Sequence, residues 1–324
     1  MASTEPKTVV IFGATGIQGG SVAKALLSDP ITARQFKVRA VTRDPTKPAA
    51  KALIAQGADV GDLEDKESLN SILTGAHALF LVTNFFETYD AALEKRQGKN
   101  VADIAKKLGI KHFIWSSLPS ISKIFSYQVS NNKFTAAAHF DGKAAVDEYI
   151  QSLSIPSTVV RLGIYVDVLL DFIAPLPTNP LSYGLCFPGT SNWKTTLPII
   201  DPSADLGKFI KIVLLNPDKT IGQSYNLAEK YYTLDKVSSI LQQRGLKIAP
   251  IPVELETFKS GLAAKGVPEF FQTTMEHIIQ YIIEYGYFGG EGIDAGLELV
   301  NEALTSLEDS CKTNSKIGEL INQQ

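Results

Sequence analysis

The sequence predicts an α/β fold organised around a doubly wound parallel sheet, followed by a smaller, discontinuous α+β lobe, and three observations carry that expectation. The apolar run Val9-Val10-Ile11-Phe12 enters Gly13-Ala14-Thr15-Gly16-Ile17-Gln18-Gly19-Gly20 and leaves as Ser21-Val22-Ala23-Lys24-Ala25-Leu26-Leu27, which reads as strand, glycine turn and helix. Short apolar runs then alternate with amphipathic ones, the pattern of parallel strands joined by crossover helices. The alternation ends where Pro175, Pro177, Pro180, Pro188 and Pro198 divide the chain into loops and short pieces, the composition of a small lobe laid over the main sheet.

The spacing Gly13-x-x-Gly16-x-x-Gly19 lets the backbone turn sharply off the strand, and the first turn of the helix offers unpaired N–H groups and a positive dipole end to a pyrophosphate. An ordinary tight strand-to-helix turn is the plainer alternative; the weight lies in the context of the motif, not in its glycines alone.

The second strand, Val38–Val41, ends in Thr42-Arg43-Asp44, where such a fold meets the adenine ribose. Arg43 offers a guanidinium fork to a 2′-phosphate, which points to NADP, while Asp44, ahead of Pro45, reads as a turn former or cap. A helix over Pro48–Gln56, a short strand Ala58–Val60, a helix over Lys66–Leu73 and a strand Ala78–Val82 continue the series. Ligands of doubly wound sheets bind at the carboxyl ends of strands. Candidate site residues are therefore Thr83, Asn84 and Phe85 after the fourth strand, and Ser116 and Ser117 after the fifth, Phe113–Trp115. Between these strands, Tyr89–Leu108 places Val101, Ile104, Ala105 and Leu108 on a helical face that stops at Gly109. Its lysines solvate the opposite face, with Lys99, beside Gly98, the one placed to reach inward.

Leu118–Ala138 is longer than a simple connection and holds Phe125, Tyr127 and Phe134, which suggests a binding loop or lid, or a surface loop with its own small cluster. A helix opens at His139, and the four-residue interval to Lys143 sets imidazole and ammonium on the same side, facing the strand ends. A lysine there would bind ribose hydroxyls or act as a general acid/base; two exposed polar residues at a helix start are the plainer alternative. Ser117 would orient a carbonyl or simply cap a turn.

The sixth strand, Thr158–Leu162, ends at Gly163, with Tyr165 and Asp167 beyond it. A helix from Asp201 to Leu215, a strand Ser224–Ala228 and a helix from Thr233 return the chain to the main sheet. Met275, Ile278, Ile279, Ile282 and Ile283 form a wide apolar face read as core, Asp294–Leu307 reads as one amphipathic helix, and the polar tail after Lys312 is expected to fray.

Composition narrows the partners. The 324 residues carry a net charge of −3 with interspersed signs, which argues against direct nucleic-acid or anionic-membrane binding. Cys186 and Cys311 lack metal-ligand or disulfide-framework spacing and read as reduced thiols, Cys186 as a small buried hydrophobe before a sensor. No apolar run reaches the ~18 residues of a membrane span, and the start has no apolar leader, so the expected location is cytoplasmic, with the nucleus as a second site.

The segments Gly13–Gly20, Val41-Thr42-Arg43, Val82-Thr83-Asn84-Phe85-Phe86, Gln97-Gly98-Lys99 and His139-Phe140-Asp141-Gly142-Lys143 together resemble the NmrA-like family, an atypical branch of the short-chain dehydrogenases. Within it the chain is most similar to the HSCARG-type redox sensors, from about Val9 to Leu241. The resemblance implies a Rossmann-like fold, with residues 1–165 as the NADP(H)-binding domain and 166–324 as a smaller lobe of which about 195–240 returns to the main sheet. It implies NADP(H) held by Gly13, Ala14, Thr15, Gly16, Ile17 and Gln18, by Arg43, by Asn84, Lys99 and Lys143, and by Tyr165, Val166, Asp167 and Val168, to which the strand-end reading adds Thr83 and Phe85. Short-chain dehydrogenases place a tyrosine four residues before the lysine, and here that position is His139. Related isoflavone-reductase-like enzymes work from the lysine without that tyrosine, so Lys143, His139 and Ser117 are the catalytic candidates. The expected function is an NADPH-dependent reductase of a small organic carbonyl or activated alkene. The alternative is a non-catalytic NADP(H) sensor that controls a protein partner.

Overall fold

A computed structural model describes residues 5–43, 46, 48–55, 59–123, 136–188 and 195–323. Asp44, Pro45 and the middle of the 118–138 segment, with Phe125, Tyr127 and Phe134, lie outside the described residues. The strands are β1 (Lys7–Ile11), β2 (Phe36–Thr42), β3 (Asp59–Val60), β4 (Ala78–Leu81), β5 (His112–Ser117), β6 (Ser157–Leu162), β7 (Ile164–Tyr165), β8 (Ile173–Leu176), β9 (Asn179–Pro188), β10 (Thr196–Ile200), β11 (Ser224–Leu227), β12 (Lys230–Thr233) and β13 (Ile248–Val253). The main sheet has seven strands in the order β11-β6-β5-β4-β1-β2-β3, and every pairing in it is parallel. The order reverses at β1, which pairs β2 through Val9↔Val38 and β4 through Val9↔Ala78. A crevice opens at such a switch, above the carboxyl ends of the strands.

Alternation along each strand assigns its residues to two cores. Val9, Ile11, Phe80 and Ile114 pack with helices α1 (Ile17–Ser28) and Pro202–Leu215 on one face. Val10, Leu79, Phe113 and Trp115 pack with Lys66–Leu73, Ala91–Leu108 and Ala138–Ser152 on the other. Asp65, Asp90 and Asp201 each accept two backbone N–H bonds at a helix start. Gly109, at φ 68°, ends the helix Ala91–Leu108.

The remaining strands depart from the expected loops. β8 and β9 form an antiparallel hairpin to which β13 adds in parallel, and β7, β10 and β12 form another small sheet. Pro175 lies in β8 and Pro250 and Pro252 in β13, the two edge strands, where a missing N–H interrupts no ladder. Of the segment 195–240, β11 extends the main sheet, whereas β10 and β12 belong to the smaller one.

Two further expectations near the C-terminus are corrected. The helix expected over Asp294–Leu307 is broken: it stops at Val300, with Asn301 left-handed at φ 48°, and resumes at Leu307. The break is pinned by the buried carboxylate of Asp205, which accepts the backbone N–H and the hydroxyl of Thr305 and pairs with Lys208 at 2.8 Å. The tail does not fray after Lys312. Asn314 caps a helix over Ser315–Asn322, Ile317 is buried, and the Asn314 amide donates to Asp167 at 2.9 Å. Among the described residues no helix is long and apolar enough to cross a membrane, and no acidic, cysteine or histidine group has the makings of a metal site.

Candidate active site

The floor of the site is the glycine turn. Gly13 has φ +66°, and a Cβ on Gly19 would lie 2.4 Å from the Gly13 carbonyl oxygen and 2.6 Å from that of Phe12, so these positions require glycine for the turn itself. Gly16 is different: its backbone is extended, and a Cβ there would lie 3.3 Å from the Gly13 oxygen. Among the described residues no side chain caps α1, so the N–H groups of its first turn are left for a ligand. Gln18 donates to the Tyr165 hydroxyl, leaving its amide oxygen buried without a partner among the described residues.

The turn opens into a cavity of about 850 Å³. Gly13, Thr15, Gly16, Ile17, Gln18, Arg43, Thr83, Asn84, Phe85, Tyr165 and Val168 line it, as do Ser117, His139 and Lys143. Four of the residues assigned to the cofactor do not. Ala14 is buried and spends its N–H on the Val41 carbonyl at 3.2 Å. The Lys99 ammonium sits 4.5 Å from the centre of the Tyr149 ring, away from the cavity lining. Val166 belongs to the core of the lobe, and Asp167 is bound to Asn314 on the C-terminal helix.

At the adenine end expected from the sequence, Arg43 makes an exposed ion pair with Glu87, whose position in the short turn Phe85–Glu87 also borders the cavity. Asp62, after β3, borders it as well.

Lys143 is nearly buried and fully engaged. Its ammonium donates to the Thr83 hydroxyl at 2.8 Å and carbonyl at 3.2 Å, and pairs with Glu94 at 2.8 Å. Thr83 in turn donates to Glu94 at 2.7 Å. A ribose hydroxyl would gain a lysine hydrogen only by displacing one of these acceptors. Glu94 escaped the sequence reading, although Glu94, Gln97, Val101, Ile104 and Ala105 recur at helical spacing on one face, and that face is the buried one.

His139 lies among the rings of Phe85, Phe86, Phe140 and Phe271, at centroid distances of 4.8 to 6.1 Å, with Nδ1 unpartnered among the described residues. Burial, reinforced by the Lys143 charge, lowers its pKa to about 3, so at neutral pH it is a neutral ring and not a reservoir of acid. The unfolded imidazole takes a proton near pH 6.5 and the folded one only near 3, so stability present at neutral pH is lost as pH falls through that window. His139→Phe is expected to lose less melting temperature than the wild type between about pH 7 and pH 5; an equal loss in the two proteins would contradict the burial argument.

Ser117 is tied down too. It is the last residue of β5, and its hydroxyl donates to Asp147, as does the Trp115 indole N–H at 2.7 Å. Arg161 approaches the other carboxylate oxygen of Asp147 at 3.5 Å. Burial raises the Asp147 carboxyl to about 6 against the lowering effect of the Ser117, Arg161 and Trp115 bonds. Asp147 was not singled out in the sequence, where it reads as one more acidic residue on a helix.

The rest of the wall is apolar. Met275, Ile278, Ile279 and Ile282 on the helix Glu269–Tyr285 face the cavity together with Phe172 and Phe187. This helical stripe, expected to be core, is core and cavity wall at once. The two thiols are free; burial raises both, Cys311 to about 12.

The model of the NmrA-like family matches residues 5–314. The chain belongs to the NmrA-like family. Among curated relatives it is similar to an NmrA-like family domain-containing oxidoreductase, hkm9, of Aspergillus hancockii, 29% identical over 304 residues that cover 88% of this chain and 86% of that one. Among solved structures it is similar to NmrA, a negative transcriptional regulator, in complex with NADP (TM-score 0.75, 20% identity, 98% of each chain covered). It is also similar to the triphenylmethane reductase of Citrobacter sp. complexed with NADP(H) (TM-score 0.70, 25% identity, 94% of this chain and 99% of that one). NmrA has been solved with NAD as well as with NADP.

Proposed function

We propose that the chain is an NADP(H)-binding reductase of a small organic carbonyl or activated alkene. One observation carries the reading: a single cavity joins the glycine turn to an apolar wall, with Lys143, Thr83 and Ser117 between them, which leaves room for a substrate beside a dinucleotide. The cradle suits that cofactor on three counts, the uncapped N-terminus of α1, the bare backbone of Gly16 and the unpartnered Gln18 oxygen. Gly13 and Thr15 to Gln18 would hold the pyrophosphate, Arg43 the 2′-phosphate, and Thr83, Asn84 and Phe85 the nicotinamide side. The bound nicotinamide supplies the hydride; the apolar wall excludes water and selects an uncharged acceptor.

NADP binding requires Arg43 to leave Glu87. That pair is exposed and worth little, so the exchange is inexpensive. Arg43→Ala is expected to weaken NADPH binding by about 2 kcal/mol, roughly thirty-fold, and NADH binding far less. Calorimetric titration of both cofactors checks it, and equal losses would remove the 2′-phosphate assignment.

The reductase reading itself is tested by following nicotinamide absorbance with NADPH and a panel of quinones, enones and aryl ketones. Substrate-dependent oxidation supports it. Tight NADPH binding without oxidation, together with a change in protease sensitivity between NADPH and NADP⁺, would instead favour the sensor, a reading encouraged by the full engagement of Lys143 with Glu94 and Thr83.

A further inference from the structure

We propose that Ser117 and Asp147 form the proton-donating pair of this site: Asp147 stores a proton and Ser117 passes it across the cavity wall to the substrate. The inference rests on the reductase reading and supplies what that reading lacks, since the tyrosine position is occupied by His139, whose ring is neutral at working pH. Ser117 lines the cavity, and Asp147 behind it does not. The Asp147 carboxyl is buried against β5 and β6, and the groups facing it are the Ser117 hydroxyl and Trp115 indole from β5 and the Arg161 guanidinium from β6. Arg161 is shared with the exposed Glu291 at 3.5 Å, so it opposes protonation of Asp147 only in part. Lys143, one turn earlier on the same helix, is bound to Glu94 and Thr83, with its ammonium 5.2 Å from the centre of the Trp115 ring.

The pair has two hydrogen-bond polarities. With Asp147 ionised, the Ser117 hydrogen points inward to the carboxylate. With Asp147 protonated, the acid donates to Ser117 Oγ, and the serine hydrogen turns to the cavity or to its weak alternative, the Leu118 carbonyl at 3.3 Å. A carboxyl that titrates near 6 visits both states around neutrality. In the proposed step, hydride from the nicotinamide adds to the carbonyl carbon and the C–O π pair moves to oxygen. That oxygen takes the Ser117 proton as Ser117 takes the proton of Asp147. The products are an alcohol, NADP⁺ and an Asp147 carboxylate, which regains a proton from water once the product leaves. Ser117 is the catalytic residue and Asp147 its positioning and proton-storing partner.

Trp115 reports on the pair, because its indole N–H is bonded to the same carboxylate oxygen. Trp193→Phe leaves Trp115 as the sole tryptophan of the two. In that background, with no cofactor added, Trp115 emission is expected to titrate with a midpoint near 6. Asp147→Asn should abolish the titration; Ser117→Ala should shift it. In NADPH-driven turnover, kcat/KM should fall as pH rises through the same midpoint. Ser117→Ala should lower kcat about 10²-fold and flatten that limb, with NADPH affinity unchanged, and Ser117→Thr should restore it. Asp147→Asn should also flatten the limb. Flat Trp115 emission between about pH 4 and 8 overturns the pair whatever the enzyme does. A titration near 6 with the wild-type turnover profile kept by both Ser117→Ala and Asp147→Asn overturns the relay. A normal titration with tight NADPH binding, no oxidation across the panel and a change in protease sensitivity between NADPH and NADP⁺ overturns the reductase reading, and with it the relay, but not the coupled hydrogen bonds.

Discussion

Gly16→Val is expected to abolish the rise in melting temperature that NADPH gives the wild type while leaving the cofactor-free protein folded. The Gly16 backbone is extended, at φ −93° and ψ 174°, a conformation open to valine, and its Cβ would meet only the Gly13 oxygen at 3.3 Å. The added side chain instead occupies the approach of the pyrophosphate to the first turn of α1. At a ligand concentration a hundred times Kd, binding stabilises by about 2.7 kcal/mol, and that whole increment should vanish. Gly19→Val is not an equivalent test, because its Cβ would press on backbone atoms at 2.4 to 2.6 Å and disrupt the turn. A persisting NADPH-dependent shift in Gly16→Val would reduce the glycine turn to a structural corner.

Lys143→Met is expected to lower stability by about 3–5 kcal/mol, the range for removing one partner of a buried ion pair. The lost ammonium leaves Glu94, itself only 2% exposed, without its cation and with its second oxygen already unpartnered among the described residues. The double variant Lys143→Met/Glu94→Gln should recover most of that loss, because the neutral amide costs far less to bury. Urea unfolding of the wild type, both single variants and the double variant measures the coupling. Simple additivity would mean that the pair is not the interaction described. The same cycle separates a structural contribution of Lys143 from its contribution to cofactor binding, which a single substitution confounds.

What the sequence made legible was local. The glycine turn, the strand ends at Thr83 and Ser117 and the helix carrying His139 and Lys143 each follow from periodicity or from residue types within a few positions, and the structure brings all of them to one cavity. The partners that set their chemistry are distant in the chain. Arg43 meets Glu87 across 44 positions, Lys143 meets Thr83 across 60, and Ser117 meets Asp147 across 30. No pattern within a helix or strand encodes such pairs, so free donors were expected where engaged ones stand. Lys99, expected to reach inward beside Gly98, rests its ammonium over the Tyr149 ring, while the missing Cβ of Gly98 serves close packing on Val146. The C-terminal errors come from polarity. Asp205 and Asn314 look like solvated residues, but one is buried beneath the Thr305 loop and the other ties the last helix to Asp167.

The helix Glu269–Tyr285 gives the cavity an unusual relation to mutation. The glycine turn and strand ends come from the first part of the chain, while much of the apolar wall comes from the side chains Met275, Ile278, Ile279 and Ile282 of this one helix. Exchanges along that stripe can reshape what enters without touching the glycine turn. The three isoleucines are also buried members of the cluster that holds the lobe together. Change in what the cavity admits is thereby coupled to heat tolerance: selection on the shape of this wall is also selection on how the lobe melts.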